Sequence, residues 1–217
     1  MNYLQDPNLA ESLDHHAERR GDQAAVIVAG KRTGRVIRLS FKELADLTKC
    51  YAAGMTQDGV RQGNRVLMMV PPGVDMIAIT WALYRIGAVP VFIDPGMGIK
   101  AMLRCIRKAE PEILVGIPKA HLLSLTIKRS FTHLRLRISV GSKFPFGGSS
   151  TRSYRKADLV WQDNSTVQDQ DLAAILFTSG STGFPKGVEY QFEHFKAQLD
   201  LLKNHFQLEA GSVDLPL

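Results

Sequence analysis

The residues best equipped for chemistry form one run, Thr178-Ser179-Gly180-Ser181-Thr182-Gly183-Phe184-Pro185-Lys186-Gly187. Four hydroxyls, three glycines and one lysine in ten residues concentrate hydrogen-bond donors and a cation in one short loop. Glycine lets successive backbone amides turn toward one point with no Cβ in the way, which makes an anion nest. The hydroxyls add donors, and the ammonium supplies a point charge for a phosphate oxygen. Holding a polyphosphate is the chemistry this composition supports. A Walker A loop would need Gly-Lys-Ser/Thr opening a helix, whereas here Pro185 precedes Lys186 and Gly187-Val188 follow it. A GxGxxG dinucleotide loop is also absent. The competing account is a plain Ser/Gly turn between two elements. Placement straight after the apolar run 173–177, with a single lysine, favours the anion site.

Other reactive residue types lack partners at useful spacing. His15-His16 has no cysteine nearby and fits no metal-binding motif, so a solvated helix face is expected and no metal site is assigned. Cys50 and Cys105 form no CxxC unit and flank apolar helical stripes, which predicts buried, unreactive thiols. Trp81 sits among Ile77, Ile79 and Leu83 and is expected in the core. Lys100, Arg104, Arg107 and Lys108 lie on the polar side of one helix, either as a solvated face or as a grip for coenzyme phosphates.

The elements that must position the loop follow from periodicity. A helix is expected over 9–20, then a hairpin of β-branched runs, 24–28 and 36–39, around Gly30-Lys31-Arg32-Thr33-Gly34. Ser40-Phe41-Lys42-Glu43 is a capping box, and Phe41, Leu44, Ala45, Thr48, Tyr51, Ala52 and Met55 place one apolar stripe on the helix it opens. Gly59 and Gly63 end that helix. Buried-strand runs at 65–70, 89–93, 113–115 and 136–140 alternate with helices over 76–86, 99–109 and 120–128. Continuous apolar strands joined by helices indicate an α/β fold, a mainly parallel sheet flanked by helices. Residues 141–166, with Gly147-Gly148-Ser149-Ser150, read as a long surface connection. The domain division expected is 1–165 as an N-terminal α/β subdomain, and 166–217 as the start of the next, carrying the loop. Asp214-Leu215-Pro216-Leu217 reads as a further strand cut in mid-pattern.

Composition bounds the classes. With 217 residues, 45% hydrophobic and 22% charged, the chain has globular composition, which argues against a disordered or low-complexity protein. Charge is uneven: residues 99–160 hold 13 Lys or Arg and 3 acids, a local +10, while the rest sums to −4. Such a segment attracts phosphates, acidic lipid or nucleic acid, but no zinc-finger spacing or aromatic platform accompanies it, so no nucleic acid partner is assigned. The N-terminus lacks a signal-peptide pattern, and Asp75 and Arg85 interrupt the most apolar stretch, so a cytoplasmic chain with no transmembrane segment is expected.

TSGSTGFPKG resembles the phosphate-binding signature of the adenylate-forming superfamily of acyl-CoA synthetases, peptide-synthetase adenylation domains and luciferases. LSFKEL, GVRQGNRVLMMVPP and RIGAVPVFIDP are similar to the N-terminal part of those enzymes, in the same order. DPGMGIK and PEILVGIPKAHLL look closest to fatty-acid-type members, among them olefin-pathway β-lactone synthetases. The resemblance implies a carboxylic acid, fatty or β-hydroxy fatty, activated by ATP to an acyl-adenylate with release of pyrophosphate. Transfer follows to coenzyme A, or to the substrate's own β-hydroxyl. It implies that Thr178, Ser179, Gly180, Ser181, Thr182, Gly183 and Lys186 bind the ATP phosphates. Many relatives carry a histidine six residues after the loop lysine, where Phe192 stands here. His194, two residues later, is then either a substrate-side group or a polar position on the helix marked by Phe192, Phe195, Leu199, Leu202 and Phe206. The family's adenine, ribose and Mg2+ ligands and its catalytic lysine follow this motif. They are therefore expected past Leu217, with the chain alone inactive. The alternative functions are a non-catalytic module binding a nucleotide or partner, and a basic nucleic-acid-binding domain; a homo-oligomer stays open.

Overall fold

Asn8 caps the first helix, α1 (Leu9–Arg20), by accepting from the Ala10 amide at 2.9 Å. The computed structural model describes residues 8–29, 36–141, 143, 145, 148–163, 166–178, 186–209 and 211–213. β1 (Ala24–Ala29) and β2 (Val36–Ser40) pair antiparallel as the expected hairpin; its turn and residues 214–217 lie outside the described residues. The capping box forms as written: the Glu43 amide donates to Ser40 Oγ at 3.2 Å and the Ser40 amide donates to Glu43 Oε2 at 2.8 Å. That satisfies two orphan donors at the start of α2 (Phe41–Gln57). The helix closes at Asp58, and Gly59 leaves it with φ +93°.

Then β3 (Arg65–Met69), α3 (Val74–Ile86), β4 (Val89–Ile93), α4 (Ile99–Ala109), β5 (Ile113–Gly116), α5 (Pro118–Thr126) and β6 (Leu136–Ser139) alternate. α6 (Thr151–Tyr154), β7 (Leu172–Thr178), β8 (Lys186–Gln191) and α7 (Phe192–His205) follow. Six strands form one sheet in the order β6-β5-β3-β4-β7-β8, parallel except for the last pair. Side chains alternate between its faces: Val66, Met68, Ile113 and Val115 pack under α2 and α3, and Leu67, Val91, Leu114 and Phe177 under α4 and α5. From β3 the chain steps one way to β4, then crosses back to β5, so α3 and α4 cover opposite faces and a crevice opens at the strand carboxyl ends.

Within the stretch 141–166, whose Gly, Ser and basic content predicts a surface connection, Ser150, Thr151 and Tyr154 are buried instead. Ser139 bridges Ser150, and Tyr154, at the end of α6, is 4% exposed. Its hydroxyl donates to Asp58, and its ring lies on Gly54 of α2. Arg155 donates to Tyr51 Oη at 2.7 Å and to Asp75 at 2.8 Å, while the Tyr51 hydroxyl donates to Asp75 at 2.8 Å. Burial first, then the Asp75 charge, pushes the Tyr51 phenol well above its usual pKa. The segment is therefore clasped to α2 and α3 by two tyrosines, a long-range contact that no local pattern encodes.

Gly54 is where this clasp is most exacting. A Cβ there would fall 2.2 Å from Tyr154 Cδ1 and 2.4 Å from Cγ, atoms close to the Tyr154 backbone that cannot swing away. Gly54→Ala gains about 1 kcal/mol of helix propensity against roughly 1–3 kcal/mol or more of overpacking. The expected result is a lower Tm, by roughly 2–4 °C per kcal/mol for a chain of this size; a raised Tm in a thermal melt would refute the packing.

Two further boundaries differ from expectation. α5 stops at Thr126, and a 3-10 turn, Lys128–Ser130, completes the segment read as continuous helix. In α7 the apolar stripe docks only at its first turns: Phe192 is buried, but Leu199, Leu202 and Phe206 are 45%, 43% and 63% exposed. Among the described residues, no helix is long and apolar enough to cross a membrane.

Candidate functional site

β7 runs from the buried Ala173 and Ala174 to the exposed Thr178, and the chain returns as β8 from the exposed Lys186. The strands are antiparallel with Thr178 opposite Lys186, so the two ends of the loop face each other across a hairpin mouth. Gly187 makes the return possible: a Cβ there would meet the Phe177 ring at 2.8 Å. The final glycine of the motif thus has a packing duty as well as a place in the sequence run. Ser179, Gly180, Ser181, Thr182 and Gly183 lie outside the described residues.

The hairpin base is braced from behind. Lys196, itself buried, pairs with Asp169, and the Glu193 amide donates to Asp169 O at 3.0 Å. Asp171 Oδ2 accepts from the Gln168 amide at 2.9 Å and from Gln62 Nε2 at 3.1 Å. These contacts tie the base of β7 to the start of α7 and to the loop before β3, and so hold Thr178 and Lys186 on the sheet.

His194 does not meet the loop ends in any described contact. It stands at the third position of α7, exposed, and its Nδ1 accepts from the Gln191 amide at 3.1 Å, closing a capping box. That bond requires an unprotonated Nδ1, the neutral tautomer with hydrogen on Nε2. The two thiols are equally spoken for: Cys50 donates to Tyr154 O at 3.1 Å, Cys105 lies 3.6 Å from Met97 Sδ, and burial pushes both above the usual thiol pKa. His16 packs on the Phe41 ring with centroids 5.4 Å apart, and desolvation, then neighbouring Arg20, lowers its pKa. Trp81 is partly buried against the core and meets Tyr84 edge-on at 6.1 Å.

Beside Thr178, at the carboxyl ends of β3, β4, β5 and β7, a cavity of about 810 Å³ opens between the sheet and helices α4 and α5. Met69, Ile93, Met102, Ile106, Leu123 and Phe177 line it; among its described lining, Asp94 and Lys119 are the charged side chains. Asp94 is engaged locally, accepting from the Gly96 amide at 2.8 Å. The place is the topological switch point, where open α/β sheets bind ligands, and the size matches small-molecule sites of about 300–1,000 Å³. Sequence reasoning missed both β8 and this cavity. β8 reads KGVEYQ, with only Val188 and Tyr190 apolar and no buried-strand run, and the cavity is assembled from residues of β3, α3, β4, α4, α5 and β7.

An apolar cavity next to a donor-rich loop can hold a hydrocarbon group and a polyphosphate side by side. The sequence profile described as AMP-binding enzyme matches residues 13–214. An olefin beta-lactone synthetase of Stenotrophomonas maltophilia is 37% identical over 216 residues, covering 96% of this chain and 39% of that protein. An acetyl-coenzyme A synthetase of Thiobacillus denitrificans is 28% identical over 198 residues, 82% of this chain and 30% of that one. Among solved structures, a long-chain-fatty-acid-CoA ligase from Archaeoglobus fulgidus superposes with a TM-score of 0.80 at 25% identity, covering 93% of this chain and 40% of that chain. The chain thus spans about two-fifths of the length of the first relatives it matches.

Proposed function

We propose, from the premise that this chain belongs to the AMP-binding enzyme family, that it carries the phosphate-binding part of an ATP-dependent acyl-activating enzyme. A substrate carboxylate oxygen attacks the α-phosphorus of ATP, the bond to the bridging oxygen breaks, and pyrophosphate leaves with its electron pair. Thr178 and Lys186, with the loop residues Ser179, Gly180, Ser181, Thr182 and Gly183 between them, hold the β- and γ-phosphates and stabilise the charge that develops on the leaving group. The observation carrying this is the pairing of Thr178 with Lys186 at a hairpin mouth beside an apolar cavity. That cavity supports a fatty or β-hydroxy fatty acid as substrate, and residues 166–217 are assigned as the phosphate-binding portion of the domain. Mg2+ is expected with the nucleotide; among the described residues no group of three or more His, Cys, Asp or Glu side chains stands together to hold it.

In the second step a nucleophile attacks the acyl carbon and AMP departs. With the thiol of coenzyme A the product is a thioester; with the substrate's own β-hydroxyl a four-membered lactone closes. The olefin beta-lactone synthetases at 37% and 36% identity favour the lactone subtype. A non-catalytic nucleotide-binding module is the remaining alternative. The test is carboxylate-dependent ATP–pyrophosphate exchange by the full-length protein, with long-chain, β-hydroxy long-chain and acetate substrates, and products identified by mass spectrometry. Exchange with the long-chain acids is expected, and a lactone only from the β-hydroxy acid. Nucleotide binding without exchange for any acid would leave the binding module and reject the enzyme.

A further inference from the structure

We propose that the basic face made by α4 and the 128–130 turn docks on an anionic lipid surface. In α4, Lys100, Arg104, Arg107 and Lys108 recur at helical spacing on the solvent side, while Met102, Cys105, Ile106 and Ala109 are buried on the other. Arg107 donates to Ser130 Oγ at 2.8 Å, which locks the exposed Lys128 and Arg129 beside that stripe. Six cations therefore share one surface. The acid nearest in sequence, Glu110 at the end of α4, faces the His133 imidazole at 3.9 Å.

Two features select lipid over nucleic acid. α4 reads IKAMLRCIRKA, so its polar face is arginine and lysine alone, with no aromatic ring on which a base could stack and no amide to pair with adenine. Instead its apolar stripe, Ile106 and Met102 in the cavity wall, ends in Ile99, which is 49% exposed next to Lys100. Cations bordering an emergent aliphatic side chain match the interface of an anionic bilayer, where headgroups neutralise Lys and Arg and acyl chains accept the apolar group. Binding to such a surface requires no catalysis, so it stands apart from acyl activation; the same geometry would bring the cavity to a store of hydrocarbon chains.

The test is co-sedimentation of the full-length protein with vesicles of equimolar phosphatidylglycerol and phosphatidylcholine, against phosphatidylcholine alone, at physiological salt. Binding to the anionic vesicles only is expected, weakening as salt rises. The variant Lys100→Gln/Lys108→Gln/Lys128→Gln leaves Arg107 and its hydrogen bond in place and should bind at least about tenfold more weakly. A control with the same charge change elsewhere, Arg38→Gln/Lys42→Gln/Lys203→Gln, should lose less than about twofold, with circular dichroism checking both folds. Equal loss in both variants, equal binding to neutral vesicles, or tighter binding to duplex DNA than to the anionic vesicles would overturn the proposal. Should the first variant fail to fold, Lys100→Gln alone must still weaken binding more than Lys42→Gln, or the proposal fails.

Discussion

Lys186→Ala lowers acid-dependent ATP–pyrophosphate exchange by about 10²–10³-fold, the loss typical of removing one positioned donor from a developing anion. Lys186 is exposed at the first position of β8, opposite Thr178, so its side chain supports no core packing and alanine keeps the backbone pairing. Stability should therefore change by less than about 0.5 kcal/mol, as for ordinary surface positions. That separation makes the result informative: a loss of rate with an unchanged melt assigns the ammonium to chemistry. Because the charge it meets grows as pyrophosphate leaves, kcat should fall more than KM for ATP rises. Lys186→Arg keeps the charge but not the compact ammonium and should recover part of the rate. A kcat within about threefold of the parent for Lys186→Ala would remove the loop lysine from the proposed reaction.

Asp14→Ala destabilises the fold by about 3 kcal/mol, the lower end of the roughly 3–5 kcal/mol found when one partner of a buried ion pair is removed. Arg85 is 2% exposed inside the core between α1, α2 and α3. Its Nη1 and Nη2 donate to the two Asp14 oxygens at 2.6 and 2.8 Å, and its Nε donates to Thr48 Oγ1 at 2.9 Å. Lys49 adds a second cation 3.0 Å from Asp14 Oδ1. Without the carboxylate, a buried guanidinium keeps one hydroxyl as acceptor and no countercharge. The lower end is expected because the Asp14 side chain is 27% exposed and water can enter. Burial alone would raise the Asp14 pKa, but the hydrogen bonds and charges of Arg85 and Lys49 outweigh it and hold the carboxyl below its usual 3.8. A depressed folded-state pKa means that this stability is complete above pH 3.8 and lost as pH falls through the lower, folded value. Urea unfolding at neutral pH and near pH 3 should show an acid loss in the parent that is smaller in Asp14→Ala. The double variant Asp14→Ala/Arg85→Met should regain part of the stability, since an apolar side chain replaces the stranded cation. A single-variant loss below about 1 kcal/mol would show that the pair is solvated rather than buried.

Much of the fold was legible because its signals are local. Strand and helix runs from Leu9 to Ser139 appear within a residue or two of where periodicity and caps place them, since an Ile-Leu-Val run or a Ser-x-x-Glu box acts through neighbours in the chain. The mainly parallel order was equally readable, because buried strands joined by helices have few other arrangements. The loop's chemical character likewise belonged to the residues themselves, to the hydroxyls, glycines and lysine of TSGSTGFPKG.

What tertiary structure alone decided depends on residues far apart in sequence. Tyr154 of α6 turned inward because it finds Gly54 a hundred residues earlier, a fit that no window of sequence contains. Lys186 became a strand residue because β8 is stabilised by backbone pairing with β7, which polar side chains do not announce. Arg85 reads as an interruption of an apolar helix until Asp14 arrives from α1 to neutralise it. The cavity beside Thr178 exists only after β3, β4, β5 and β7 align their ends and α4 and α5 close over them. Composition and local spacing determined which groups this chain can offer to an anion; the long-range burial of apolar surface determined where those groups stand and what lies next to them.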